Sequence, residues 1–225
     1  MPFSAVIFDC AGVVIDCSFH QFVAWRRMFE EEGASLTMTD FQTKISGRIR
    51  EEAIREVLGN DLSDERLEEL SNRKQEIFDQ FIALDMPGSF PGIVDILTTL
   101  RERGVKLCVA SASRNAAKLL NHAKVSQYFD AVVTPSSHSV TSSEKDLYTL
   151  SLKELGVQLN ECIVVEDTPL SIAVAKKMGI FTVGITVMVP ASALADADRV
   201  VADHNELRKV LCSEFFPLSR LQGNG

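Results

Sequence analysis

Apolar residues along this chain recur in two different rhythms. Short runs rich in valine and isoleucine fall at residues 4–8, 105–110, 131–133, 162–165 and 181–185. Runs of this length without polar alternation suit strands buried on both faces. Around the later four lie residues 92–103, 116–122, 144–155 and 170–178, where apolar positions return every three or four residues. That spacing predicts amphipathic helices. Strands alternating with helices predict an α/β fold with a doubly wound parallel sheet.

Residues 17–86 break this rhythm. Helical patterns cover 20–32, 38–44, 51–58 and 64–84, with no strand among them, and Asp64 supplies an acidic helix start. Pro87-Gly88-Ser89-Phe90-Pro91-Gly92 then interrupts the chain and reads as a hinge. The architecture expected is an α/β core from residues 1–16 and 87–225, with a helical cap domain, 17–86, inserted after the first strand. The alternative is one continuous α/β domain with a long helical excursion.

Composition narrows the classes. A chain of 225 residues, 46% hydrophobic, can bury one sizeable core and a small accessory domain. No stretch approaches the roughly 20 apolar residues that span a bilayer. Met1-Pro2-Phe3-Ser4 runs into a strand pattern without a basic start or a cleavage site, so a cytoplasmic location is expected. Cys10, Cys17, Cys108, Cys162 and Cys212 are scattered, odd in number and form no C-x-x-C pair, which favours buried reduced thiols over a zinc site or disulfides. A net charge of −8 gives no general attraction to nucleic acid or to anionic membranes. An anionic substrate would need a local site that overcomes that field. A monomer or weak homodimer is expected.

Three strand exits carry candidate chemistry. The first strand ends in Asp9-Cys10-Ala11-Gly12-Val13. A carboxylate at the C-terminal end of a parallel strand lies where ligands bind in open sheets, and Gly12 permits a turn whose backbone N–H groups face an anion. The second exit is Ala110-Ser111-Ala112-Ser113-Arg114-Asn115. A hydroxyl there, with a following helix start, can hold a phosphoryl oxygen, although Ser111 or Ser113 could equally cap the helix. The third is Glu166-Asp167-Thr168. Its two carboxylates, together with Asp9, make an oxygen-rich site suited to Mg²⁺, although Asp167 could be only an N-cap. The three exits in this order are far more specific than any one of them.

Their order and context resemble the haloacid dehalogenase-like superfamily, and the likeness to its β-phosphoglucomutase subfamily runs over nearly the whole chain. Its pieces are Phe8-Asp9-x-x-Gly12-Val13 with Asp16 beyond, Ala24-Trp25-Arg26, Gly47-x-x-Arg50-Glu51-Glu52 and Phe90-Pro91-Gly92. The second and third exits and Tyr128-Phe129-Asp130-Ala131 complete the set. The resemblance implies a parallel-stranded core with a helical cap, and a Mg²⁺-dependent phosphatase or phosphomutase acting on a small phosphorylated metabolite such as a sugar phosphate. It implies that Asp9 is the nucleophile, forming an aspartyl-phosphate, and that Ser111 binds the transferring phosphoryl group. Mg²⁺ would be held by Asp9, Asp167 and the carbonyl of Ala11, with Glu166 in support. Arg50 would bind the substrate's distal anionic group, and Gly12, Ala112, Arg114, Asn115 and Lys145 complete the expected substrate contacts.

The chain departs from the family pattern at several places. Ala11 stands where the family has a second Asp, which protonates the leaving group and later activates water. The family's Lys-Pro-x-Pro-Asp motif falls on Ser142-Ser143-Glu144-Lys145-Asp146, so the expected lysine is Ser142, and Lys145 is the candidate replacement. Ser171 replaces a glycine, and the cap-hinge histidine aligns with Gln21 beside His20. His20 reads as a helix-surface or packing residue rather than an acid, and His138 as a solvated loop residue. These departures imply altered acid/base chemistry. They leave open a catalytically inactive phosphometabolite-binding homologue. The Asp-x-Ala-Gly pattern also resembles phosphonoacetaldehyde hydrolase, which cleaves a carbon–phosphorus bond with the help of a cap lysine. Here Arg50 holds that cap position and cannot form an imine, and Lys44 is wrongly spaced. Dehalogenation, which usually wants a bulky residue at position 11, ranks lower still.

Overall fold

A computed structural model describes residues 3–136 and 143–218 of the chain. Six strands among them build one parallel sheet: β1 (Ala5–Phe8), β2 (Lys106–Ala110), β3 (Ala131–Val133), β4 (Cys162–Glu166), β5 (Phe181–Ile185) and β6 (Arg199–Val201). Their order is β3-β2-β1-β4-β5-β6. The helices are α1 (Ser18–Glu31), α2 (Met38–Asp40), α3 (Arg50–Leu58), α4 (Asp64–Leu84), α5 (Ile93–Glu102), α6 (Ala116–His122), α7 (Glu144–Leu155), α8 (Pro169–Met178) and α9 (His204–Arg208).

Side chains alternate across the strands, and each face of the sheet finds its own cover. Val6, Phe8, Leu107, Val109, Ile163 and Val165 pack with Ile93, Ile96, Leu97 and Leu100 of α5 and with Leu119 and Leu120 of α6. The intervening residues Ala5, Ile7, Cys108, Cys162 and Val164 pack on the other face with Leu147, Tyr148 and Leu152 of α7 and Ala175 of α8. This is a doubly wound α/β sheet, as the two hydrophobic rhythms require. All five cysteines are buried and free.

Between β1 and α5 the chain is helical. Phe22, Trp25, Met28 and Phe29 on α1 meet a stripe on α4 formed by Leu67, Leu70, Ile77 and Phe78. The two connections to this segment run side by side. Asp16 N donates to Gly88 O at 3.0 Å, Phe90 N donates to Val14 O at 3.0 Å, and Ile15 bridges Ser89. No helix among the described residues is long and apolar enough to cross a membrane.

Three elements differ from the sequence expectation. The 38–44 helix is a single turn started by a Thr37–Asp40 capping box, followed by a wider turn over Phe41–Ile45 that stops before Gly47 at φ +86°. A sixth strand, β6, pairs with β5 at the sheet edge. Beyond it α9 continues into the wide turn Lys209–Phe215, whose Val210, Leu211 and Cys212 are buried.

Candidate active site

The parallel register brings the three exits level. Phe8 lies opposite both Val109 and Val165, so Asp9 follows between the ends of β2 and β4, beside Ser111 and Glu166-Asp167. Asp9 N donates to Val165 O at 3.0 Å and Ser111 N donates to Val133 O at 3.0 Å, which ties each loop to its neighbouring strand. Above them is a cleft lined from the sheet side by Asp9, Ala11, Ser111 and Glu166 and from the helical segment by Trp25, Arg50 and Lys74.

One pole of the cleft is a carboxylate cluster. Asp9, Glu166 and Asp167 each offer an oxygen, all within 4.8 Å of one another. Burial pushes Asp9 up to about 7, opposed by hydrogen bonds from the Cys10 and Ala11 backbone and the Ser111 side chain. Burial also drives Glu166 and Asp167 well above the usual carboxylate range, and repulsion from Asp9 adds to it. Tyr148 donates to Glu166 Oε1 at 2.8 Å, yet Glu166 Oε2 and Asp167 Oδ1 are buried without a hydrogen-bond partner. Buried carboxylate oxygens left in this way are costly unless a cation joins them. The cluster therefore fits a hard divalent ion with oxygen ligands, and Mg²⁺ meets that description.

Gly12 explains how the cluster can be so tight. Its φ is +90°, and a Cβ there would overlap the Asp167 carboxylate, lying 2.6 Å from Cγ. Its N–H, however, donates to Ile15 O at 3.0 Å. That hydrogen bond closes the turn and occupies the glycine's own donor, so what the structure shows of Gly12 is the close approach to Asp167 and the turn itself. Gly12→Ala is expected to lower stability by about 2 kcal/mol or more and to remove stabilisation by Mg²⁺, as thermal unfolding with and without the ion would reveal.

The opposite pole is cationic. Arg50 is 6% exposed, donates to Ser71 O and to Gln75 Oε1 at 2.9 Å each, and is lowered to about 10 by burial, then by Arg114. Lys74, 2% exposed, donates to Gln21 Oε1 at 2.5 Å and lies 5.1 and 4.7 Å from the ring centroids of Trp25 and Phe78. Desolvation holds its ammonium well below its ordinary value, and Arg50 adds to the shift. Sequence reasoning passed over Lys74, although a lysine at one position of the apolar α4 stripe was a visible signal.

The remaining sequence candidates divide. Ala112 lines the cleft. Arg114 is exposed and pairs with Glu51 at 2.6 Å across the gap between sheet loops and helical segment, so it is a tie between the two. Asn115 accepts from Gln75 Nε2 at 2.8 Å, joining the same two parts, and its Nδ2 is buried without a partner. Lys118–Asp79 at 2.6 Å and Gln42 Nε2 to Met188 O at 2.6 Å add further ties. His20 lies 3.4 Å from Asp85 and does not line the cleft.

Lys145 is a correction. It is exposed and away from the cleft, and Glu144 occupies the lining instead. Ser143 Oγ accepts from Asp146 N and starts α7 there, so Glu144 is its first residue and Lys145 is rotated about 100° away. Glu144 shares a helix face with Tyr148, one turn on. Ser171 donates its hydroxyl proton to Glu144 Oε1 and accepts from Thr168 Oγ1 at 2.7 Å. The glycine-to-serine departure and the altered loop thus meet at one place. Ser142 and His138 lie outside the described residues.

Comparisons with known proteins agree with this geometry. Residues 3–179 match the haloacid dehalogenase-like hydrolase family. The β-phosphoglucomutase of Bacillus subtilis (strain 168) is 28% identical over 224 residues, covering 97% of each chain. A phosphorylated carbohydrates phosphatase of Thermotoga maritima is 27% identical over 182 residues, 78% of this chain and 82% of that one. The crystal structure of β-phosphoglucomutase from Clostridium difficile superposes with a TM-score of 0.80 at 25% identity, covering 91% of this chain and 93% of the other. The matched family spans all three strand exits and the helical segment between β1 and α5, and the chain belongs to the haloacid dehalogenase-like hydrolases.

Proposed function

We propose that this protein is a Mg²⁺-dependent phosphatase or phosphomutase-type enzyme for a sugar phosphate, working through an aspartyl-phosphate on Asp9. One observation carries the reading: a carboxylate cluster beside Ser111, with Glu166 Oε2 and Asp167 Oδ1 left without hydrogen-bond partners, faces the buried basic side chains Arg50 and Lys74 across a single cleft. Two poles of opposite sign suit a small molecule with a reacting phosphoryl group at one end and polar or anionic groups at the other. The relatives named for phosphoglucomutase and phosphorylated-carbohydrate activities support the sugar-phosphate class.

In this reading Asp9, Asp167 and the Ala11 carbonyl hold Mg²⁺, with Glu166 in support. The bound ion would keep Asp9 ionised and draw charge from the phosphoryl oxygens. Asp9 attacks phosphorus, and Ser111 donates its hydroxyl to the transferring group. Arg50 and Lys74 orient the rest of the substrate. Residues 17–86 act as a cap on a core of residues 1–16 and 87–225. The paired connections at Asp16–Gly88 and Val14–Phe90 serve as its hinge, and Arg114–Glu51 and Lys118–Asp79 as its latches.

Incubation with Mg²⁺ and a panel of hexose and pentose phosphates, followed by phosphate and isomer analysis, tests the reading. Consumption of at least one sugar phosphate, abolished by a chelator, is expected. Tight binding of a sugar phosphate that is never consumed would replace it with the non-catalytic reading. The phosphonate-cleaving alternative gains nothing from Arg50, which remains a guanidinium in the cleft.

A further inference from the structure

We propose that Glu144 is the general acid and base of this site, standing in for the carboxylic acid that position 11 lacks; the proposal rests on the phosphoryl-transfer reading above. Ala11 lines the cleft from the end of β1 but has no proton to give. The other carboxyl groups there are committed: Asp9 to attack, Glu166 and Asp167 to the cation cluster. Glu144 lines the same cleft from α7, and the three-carboxylate cluster does not include it.

Glu144 is held as a working acid would be. Ser171 donates to its Oε1 and is itself anchored by Thr168, so the carboxyl orientation is set by a relay starting at the β4 exit. The cap covers this relay. A Cβ on Gly47 would come within 2.7 Å of Ser171 Oγ, 2.8 Å of Thr168 Oγ1 and 3.4 Å of Glu144 Oε1, so only bare backbone at φ +86° fits against it. The loop that leads to Arg50 therefore packs directly on the hydroxyl pair that orients the acid. Burial raises Glu144 to about 8, with Asp9 from β1 and Glu52 from α3 adding to the shift and Arg48 opposing it. The shift is toward the protonated form, which is the form a general acid needs. A neutral acid also avoids placing a fourth negative charge beside a phosphoryl dianion, where the family pattern has a lysine nearby.

Protons and bonds balance over two half-reactions. An Asp9 oxygen forms a bond to phosphorus while the bond from phosphorus to the sugar oxygen breaks, and that oxygen takes the Glu144 proton. The products are the alcohol, the aspartyl-phosphate and a Glu144 carboxylate. In the second half, Glu144 takes a proton from water, or from an acceptor hydroxyl, as its oxygen bonds to phosphorus. The acyl–phosphate bond breaks, and the Asp9 carboxylate and the protonated Glu144 return.

The test is Glu144→Gln, which keeps size, neutrality and an acceptor for Ser171 but cannot exchange a proton. Single-turnover phosphorylation is measured with a sugar phosphate and with an aryl phosphate, whose leaving group needs no protonation. A positioned acid contributes roughly 10²- to 10⁴-fold. The variant should therefore slow on the sugar phosphate by about 10²-fold more than on the aryl phosphate. It should also accumulate aspartyl-phosphate, visible by intact mass, because breakdown lacks its base. Equal slowing on both substrates, or none on either, overturns the role of Glu144 while leaving phosphoryl transfer standing. A wild-type protein that forms no adduct from either substrate overturns the phosphoryl-transfer reading and this inference with it.

Discussion

Asp9→Asn should abolish both the phosphoryl adduct and turnover, a loss of at least about 10⁴-fold, the scale on which removal of a nucleophile acts. An amide oxygen in this position is a poor nucleophile, and Asp9 is the residue that the strand register places between Ser111 and the Glu166-Asp167 pair. The substitution is isosteric, so the fold should persist. Without divalent ion the variant should melt at or above the wild-type temperature, because one of three mutually repelling carboxyl groups has gone. Intact-mass measurement after incubation with acetyl phosphate, set beside a melting curve, separates chemistry from folding. Turnover unchanged in a folded variant would eliminate Asp9 as the nucleophile.

The second large effect is on stability. Without a divalent ion the protein should lose stability as pH rises from about 5 to 8, and Mg²⁺ should restore it. Asp9 is raised to about 7 and Glu144 to about 8, and Glu166 and Asp167 shift in the same direction. A carboxyl group whose folded value exceeds its unfolded value binds more protons when folded. The folded state is therefore penalised progressively as pH climbs from the unfolded value, about 4, toward the folded one. Carboxylates held low by partners, such as Asp79 with Lys118 and Asp198 with Lys176, complete their titration below this window and do not offset the loss. Each unit is about 1.4 kcal/mol, and 1 kcal/mol moves the melting temperature of a chain this size by about 2–4 °C. A fall on the order of 5 °C or more is expected in chelator. A divalent ion held by the ionised cluster would stabilise the protein more at pH 8 than at pH 5. Equal stabilisation at both pH values, or a metal-free protein that is firmer at pH 8, would argue against a cation on this cluster.

Much of this molecule is written locally in its sequence. A β-branched run with no polar alternation has few places to go except the middle of a parallel sheet, so β1, β2, β4 and β5 are legible as strands. Parallel strands in register then bring their C-terminal ends together, which is why Asp9, Ser111 and Glu166-Asp167 converge although more than fifty residues separate each from the next. The long helices of residues 17–86 are legible for the same reason, through their apolar stripes.

Only the tertiary structure decided the rest. β6, Arg199-Val200-Val201, opens on a charged residue and offers no apolar run of three, and it pairs with the edge of β5. The rotation of α7 depends on where Ser143 caps it and on Tyr148 reaching Glu166, and that rotation turns Glu144 inward and Lys145 out. Lys74 becomes a cleft cation only because α4 packs on α1 directly above the strand ends. The sequence by itself determined the sheet and the three strand-exit loops, because hydrophobic burial and strand register act through short, repeating patterns. The tertiary structure decided which charged groups complete the cleft, because that depends on helix rotation and on contacts between residues distant in the chain.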